Sequence, residues 1–165
     1  MADCPLQVLI VEDEPLIAMV LEHAVVSADR LVVGWAADRA SALAIADAHT
    51  PNVAFVDLRL RDGETGPEIS RYLSAKGVAV VITTAHPGDL VDLGRPLGIV
   101  PKPYSPETIE AVLRYVTQKL EGTDVEPLPP PGFYSRKGAA PAVSARLKPP
   151  TLPEPLPQPP LKPNK

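Results

Sequence analysis

The stretch NVAFVDLRLRDGETG, residues 52–66, decides the fold. It opens with four consecutive apolar residues, 53–56, which bring Asp57 to the end of the run. Apolar residues without polar alternation are typical of a strand covered on both faces, as in a parallel sheet. Ligands of such sheets bind at the carboxyl ends of the strands, so we expect Asp57 at the edge of a site. The plainer interpretation is an aspartate that caps a turn.

Further apolar runs at residues 6–11, 31–36, 78–82 and 98–100 predict four more strands. Helical periodicity separates them, and the helix starts are marked by Pro15, Asp38, Gly66 and Ser105. The pattern weakens between residues 86 and 97, where we expect at most a turn or two of helix around residues 89–93. Alternating strands and helices predict an α/β domain of about 120 residues.

Composition and charge exclude several classes of protein. The single cysteine, Cys4, cannot form an intrachain disulfide, and no segment resembles a secretion signal or a membrane span. We therefore expect a soluble, cytoplasmic protein with no membrane partner. Residues 1–126 hold 10 Lys/Arg against 19 Asp/Glu, which disfavours binding to nucleic acid backbones. The acidity is better suited to a cation.

The carboxyl-terminal residues, 123–165, have a different composition. The stretch 127–165 contains 13 of the 22 prolines and has 6 Lys/Arg against 1 Asp/Glu. This composition predicts an extended or disordered tail. Its Pro-x-x-Pro spacings, Pro150–Pro153 and Pro157–Pro160, suit either a plain spacer or docking in an aromatic groove. A third interpretation is that Phe133 and Tyr134 fasten the tail to the domain or to a partner.

Five polar residues follow the predicted strands at one sheet edge. Glu12 and Asp13 follow the first strand, Asp57 the third, Thr84 the fourth and Lys102 the fifth. Three carboxylates, a hydroxyl and an ammonium are typical of a magnesium-dependent phosphoryl site in which Asp57 acts as nucleophile. Taken singly, Lys102 suits a solvated loop, Thr84 a strand end, and the acidic residues a helix start.

The sequence resembles the receiver domains of bacterial two-component response regulators over about residues 5–121. The matching pieces are VLIVEDE (8–14), FVDL (55–58) with Asp62, Gly63 and Gly66, TTA (83–85), and PKP (101–103). This resemblance implies a flavodoxin-like (βα)5 fold, a doubly wound parallel sheet of order 2-1-3-4-5.

The same resemblance implies a role for each site residue. Asp57 would accept a phosphoryl group from a histidine kinase or a histidine phosphotransfer protein. Mg²⁺ would be held by Glu12, Asp13, Asp57 and the backbone carbonyl of Arg59. Thr84 and Lys102 would contact the phosphoryl group.

The sequence departs from the family pattern at two places. Ile99 stands where receivers usually have a switch tyrosine or phenylalanine, and the segment between Thr84 and Gly98 is short, which predicts a stunted or irregular fourth helix. Both lie on the face that receivers use for output or dimerisation. A homodimer through the last strand and helix is therefore an open alternative.

We interpret residues 1–122 as a receiver domain and 123–165 as a proline-rich tail. The function that follows is phosphorylation-dependent signal relay through protein contacts, with self-phosphorylation on Asp57 but no enzymatic output domain. The alternative is a receiver-fold adaptor that docks without phosphorylation, through its altered face or its tail. A dehalogenase-type enzyme is disfavoured, since its Asp-x-Asp nucleophile would replace Glu12-Asp13-Glu14 after the first strand.

Overall fold

The computed structural model describes residues 5–87, 92–122 and 126–136. Within these ranges, strands and helices alternate up to residue 121, as the sequence predicts, except that the described part of the connection between the fourth and fifth strands contains no helix. The elements are β1 (Gln7–Val11), α1 (Pro15–Ser27), β2 (Leu31–Ala36), α2 (Arg39–His49), β3 (Val53–Asp57), α3 (Gly66–Ala75), β4 (Ala79–Thr84), β5 (Gly98–Pro101), α4 (Pro106–Glu121) and β6 (Tyr134–Ser135).

The strands form one sheet in the order β2-β1-β3-β4-β5-β6. The first five strands are parallel, and β6 adds antiparallel to β5. The predicted α/β class and the order 2-1-3-4-5 are confirmed. Asp57 is paired with Thr83, and Thr84 is paired with Pro101, so the ends of β3, β4 and β5 lie side by side.

Helices cover the sheet on both faces, which explains the unbroken apolar runs. All five residues of β3 are buried. Val53 and Phe55 point into a core shared with α1 and α4, while Ala54 and Val56 point into a second core shared with α2 and α3. A strand between two cores has no solvent-facing side, and polar alternation is therefore absent.

Two helices begin at the polar caps that the sequence predicts. The Asp38 carboxylate accepts a hydrogen bond from the backbone N–H of Ser41 at 2.8 Å at the start of α2. Ser105 accepts one from the N–H of Thr108 at 3.3 Å at the start of α4, where Pro106 takes the first position. None of the helices within the described ranges has the length and hydrophobicity that crossing a bilayer requires.

The connection between β4 and β5 is the part of the domain with the weakest pattern. Three of the five residues of the short helix predicted at residues 89–93 lie outside the described residues, namely 89–91. The described part, 92–97, contains no helix. It is fastened by buried Leu93 and Leu97, and the Ser70 hydroxyl donates to the Leu93 carbonyl at 2.6 Å.

Residues 126–136 differ from the disordered tail that the proline content predicts. They cross the edge of the sheet, where β6 pairs with β5 and Phe133 is buried in the core of α1 and α4. Ordering this segment costs conformational entropy, and its exposed residues bury little surface to offset that cost. Burial of the Phe133 side chain supplies the offset. The third interpretation of the tail thus describes Phe133, whereas the Tyr134 side chain is exposed and this residue contributes its backbone pairing with Ile99. Residues 137–165 lie outside the described residues, and the division at residue 122 stays a prediction.

The charge on Asp38 predicts a pH dependence of stability. Hydrogen bonds from the Ser41 backbone and hydroxyl, and then from Arg61, lower the pKa of Asp38 from 3.8 to about 2. A depressed pKa in the folded state stabilises the protein above pH 4, and this contribution is lost as the pH falls to about 2. Asp38→Asn should therefore have a lower Tm than wild type above pH 4, and the difference should shrink towards pH 2.

The measurement is thermal unfolding of both proteins from pH 6 to pH 2. Glu22→Gln, on the exposed side of α1, is the control for the loss of one surface carboxylate away from this cap. A Tm difference for Asp38→Asn that stays constant down to pH 2 would contradict the charged cap.

Candidate functional site

Lys102 lies at the centre of a buried cluster of charges. Its Nζ donates to Asp57 Oδ2 at 2.6 Å and to Glu12 Oε2 at 2.7 Å. The Lys102 side chain is 11% exposed, and the Glu12 side chain is fully buried. One ammonium is therefore shared between two carboxylates that are largely removed from water.

The sheet brings these three residues together from distant parts of the sequence. Glu12 follows β1, Asp57 is the last residue of β3, and Lys102 follows β5. The backbone N–H of Lys102 donates to the Thr84 carbonyl at 2.8 Å, which continues the β4–β5 pairing past Pro101. The backbone thus holds Lys102 where its side chain reaches both carboxylates.

Burial and pairing act in opposite directions on the two charged partners. Burial raises the pKa of Glu12 above 4.5, and hydrogen bonding to Lys102 offsets only part of this effect. Burial lowers the pKa of Lys102, but its hydrogen bonds to Asp57 and Glu12 outweigh it, so this pKa is raised overall. Lys102 therefore stays charged at neutral pH. Burial disfavours the ionised form of Glu12, and a further cation would stabilise that form.

Asp13 completes an acidic group that suits a metal ion. Carboxylate oxygens of Glu12, Asp13 and Asp57 lie within 4.8 Å of one another. Glu12 and Asp57 are buried, and Asp13 is half-buried, so the group opens to solvent on the Asp13 side. Hard carboxylate oxygens are the ligands that Mg²⁺ prefers, with water filling its remaining positions. The donor set therefore fits Mg²⁺.

Arg59 and Thr84 complete the set of predicted site residues. The backbone N–H of Arg59 donates to Asp57 Oδ1 at 3.3 Å, which places this residue beside the carboxylate. The Thr84 hydroxyl is buried and accepts the His86 N–H at 3.0 Å. All six predicted residues thus lie at the ends of β1, β3, β4 and β5, and their roles stay predictions.

Gly66 allows α3 to begin directly against Asp57. A Cβ at this position would lie 2.2 Å from the Asp57 carbonyl oxygen and 2.4 Å from Leu58 Cα. Its N–H donates to the Leu58 carbonyl at 3.2 Å. Only glycine fits this approach, which ties the loop after Asp57 to the helix.

Two residues near the site have no role in the sequence analysis. The indole N–H of Trp35 donates to the backbone carbonyl of Glu12, and Trp35 is the single tryptophan. Tyr104 is partly buried, and burial, followed by the charges of Glu12 and Asp57, raises its pKa. The sequence signal that could have identified Trp35 is its place at the end of β2, next to β1. For Tyr104, the signal is its place two residues after Lys102.

An exposed apolar surface adjoins the charged cluster. Leu16 and Met19 on α1 are 77% and 60% exposed. Leu16 borders a groove of about 360 Å³ whose other lining residues include Lys102 and Tyr104. The groove therefore joins the surface of α1 to the site.

Comparison with known proteins agrees with this geometry. The sequence profile of the response regulator receiver domain matches residues 8–114. The phyllosphere-induced regulator PhyR of Methylorubrum extorquens is 35% identical over 116 residues, which are 68% of this chain and 43% of that protein. The transcriptional regulatory protein PdtaR of Mycobacterium tuberculosis is 32% identical over 76% of this chain and 63% of its own length.

A solved structure gives the same result. The solution structure of SdrG from Sphingomonas melonis superimposes with a TM-score of 0.59 at 30% identity, covering 70% of this chain and 98% of that one. The chain spans about half the length of the curated relatives it matches. The profile match, the sheet order and the acidic site agree, and this chain belongs to the receiver domain family of two-component response regulators.

Proposed function

We propose that this chain relays signals by phosphorylation of Asp57, with the phosphoryl group supplied by a histidine kinase or a histidine phosphotransfer protein. The observation that supports this most strongly is the Lys102 ammonium, 2.6 Å from the Asp57 carboxylate in a largely buried site. A nucleophilic carboxylate beside a fixed ammonium is the arrangement that phosphoryl transfer requires.

In the proposed reaction, an Asp57 oxygen attacks phosphorus while the bond from phosphorus to the donor's imidazole nitrogen breaks. The imidazole keeps the electron pair of that bond and takes up a proton. Lys102 moves its hydrogen bond from the carboxylate to a phosphoryl oxygen, and the Thr84 hydroxyl donates to another. Lys102 and Thr84 then hold the acyl phosphate in place.

Glu12, Asp13, Asp57 and the Arg59 carbonyl would hold Mg²⁺ in this proposal. The bound ion would neutralise charge that develops on the phosphoryl oxygens. The three carboxylates suit it because their oxygens converge within 4.8 Å. The positive charge of the ion would stabilise the ionised form of Glu12, which burial disfavours.

The apolar surface of α1 is the proposed docking surface for the phosphoryl donor. Leu16 and Met19 are exposed, and Leu16 lines the groove that also holds Lys102. A helix of the donor would cover these side chains and bring its histidine to Asp57. Burying two large apolar side chains would contribute to such a contact.

Output is proposed to occur in the cytoplasm, through contacts with a downstream protein rather than through enzymatic turnover or nucleic acid. Residues 1–126 are acidic, which disfavours nucleic acid. The solved structure of the anti-anti-sigma factor PhyR from Bartonella quintana is 31% identical in sequence to this chain. The name of that protein describes a regulator. A homodimer remains a proposal of the sequence alone.

A second candidate function is a phosphorylation-independent adaptor. The observation that favours it is that Ile99, at the position of the usual switch aromatic, is buried and pairs through its backbone with Tyr134 of the chain's own tail. If Asp57→Asn preserves partner binding and cellular output, while tail deletion abolishes both, the adaptor is the correct function.

Incubation with acetyl phosphate tests the relay. We expect one phosphoryl group per chain, only with Mg²⁺ present, because Asp57 is the one carboxylate of the acidic group that lies beside both Lys102 and the Arg59 N–H. Intact-mass measurement detects the product. Asp57→Asn should take up none, and the control Asp47→Asn, an exposed carboxylate on α2, should react like wild type. Equal labelling of Asp57→Asn would disprove the assignment.

Replacement of Lys102 tests the charge balance of the site. Lys102→Ala leaves Glu12 and Asp57 without their cation, and removing one partner from a buried ion pair costs about 3–5 kcal/mol of unfolding free energy. Mg²⁺ supplies a substitute charge, so it should raise the Tm of Lys102→Ala more than that of wild type.

The measurement is thermal unfolding with and without Mg²⁺, alongside a Mg²⁺ titration followed by Trp35 fluorescence. Trp35 reports on the site because its indole donates to the Glu12 carbonyl. The control is Lys76→Ala, which removes an exposed ion pair between the residue after α3 and Asp47 on α2. A Mg²⁺ effect no larger in Lys102→Ala than in wild type would contradict a shared site.

A further inference from the structure

Residues 126–136, which we call the strap, cross the edge of the sheet beside β5. Tyr134 pairs with Ile99, and Ser135 pairs with Gly98. The Arg136 N–H donates to the Leu97 carbonyl at 2.9 Å. The strap thus satisfies backbone groups of an edge strand that would otherwise face solvent.

A single side chain fastens the strap to the domain. Phe133 is 5% exposed, and its ring centroid lies 5.2 Å from that of Tyr115 on α4. The other ten strap residues are partly or fully exposed, and Leu128 reaches 90% exposure. An ion pair between Lys119 and Glu126 adds a contact at the surface. Attachment therefore depends on one aromatic anchor and a short backbone ladder.

The domain provides a matching recess, which we call the socket, formed by Gly98 and Tyr115. A Cβ at Gly98 would lie 2.3 Å from Phe133 Cζ and 2.6 Å from the Tyr134 carbonyl oxygen. Only a residue without a side chain leaves room for both the ring and the backbone of the strap. The socket is therefore shaped for an aromatic side chain on an extended segment.

We propose that the strap is a displaceable resident of a peptide-binding surface made by the socket and the β5 edge. The partner that this surface fits is a protein with an extended segment that carries an aromatic side chain. Such a segment would pair with β5 and insert its ring at Gly98, as a strand added to a sheet edge. The strap competes with this partner from within the same chain.

The small number of contacts makes the strap displaceable. Burial of one phenylalanine favours the closed state by roughly ten- to a hundredfold. Ordering the exposed residues of the strap opposes closure, and an exposed ion pair adds little. The strap should therefore open locally far more often than the domain unfolds.

Native-state hydrogen exchange on the wild-type chain tests this opening. We expect the Arg136 amide to be protected, yet to exchange at least a hundredfold faster than the slowest amides of β3. If the Arg136 amide exchanges as slowly as β3, the strap leaves only on global unfolding, and the proposal is wrong. If it exchanges as fast as an unfolded peptide, the strap is no resident, and the proposal is equally wrong.

A labelled synthetic peptide of residues 126–136 tests the surface itself. The full-length Phe133→Ala chain has an empty socket, so it should bind this peptide at least tenfold more tightly than wild type, measured by fluorescence anisotropy. The control peptide with Phe133→Ala should not bind. Adding Gly98→Val to the Phe133→Ala chain should abolish binding, because the new side chain fills the socket.

Equal affinity of wild type and Phe133→Ala for the peptide would overturn the proposal, as would binding of the control peptide. If Phe133→Ala fails to fold, Phe133 belongs to the permanent core; hydrogen exchange on wild type should then give the slow result and reject the proposal. Neither experiment involves phosphorylation, so failure of the relay leaves both tests valid.

Discussion

The attraction between one ammonium and two carboxylates organises the edge of this domain. Lys102, the residue after β5, contacts Asp57 at the end of β3 and Glu12 directly after β1. Without it, two largely buried carboxylates would repel each other in a poorly hydrated site. The same contact fixes the relative position of three strand ends, so the electrostatics of the site and the geometry of the sheet are coupled.

Backbone geometry supports this arrangement from the other side. Gly66 brings the start of α3 into contact with the Asp57 backbone, at a distance that no side chain tolerates. The Arg59 N–H donates to the free side of the Asp57 carboxylate. Both carboxylate oxygens thus have a donor, and the residue is oriented before any ligand arrives.

Much of this arrangement follows from the sequence, because apolar runs and the polar residues after them are local signals. The run 53–56 and Asp57 predict a strand and its edge, and the resemblance supplied the strand order. The strap did not follow, because composition averages over residues while Phe133 acts alone. Its burial depends on the missing side chain at Gly98, a contact between distant positions that no local pattern contains. The hydrogen bond from Trp35 to the Glu12 carbonyl was not predicted for the same reason.

The direction of β6 gives the domain two separate poles. Because β6 is antiparallel to β5, the chain passes from Tyr134 beside Ile99 to Arg136 beside Leu97, the residue before β5. Asp57 and Lys102 lie at the opposite end of the parallel strands. A four-residue strand spans about 13 Å, so Arg136 lies about a strand length from the carboxylates. In the proposed relay, the phosphoryl donor and a partner bound at the β5 edge would therefore contact opposite ends of the domain.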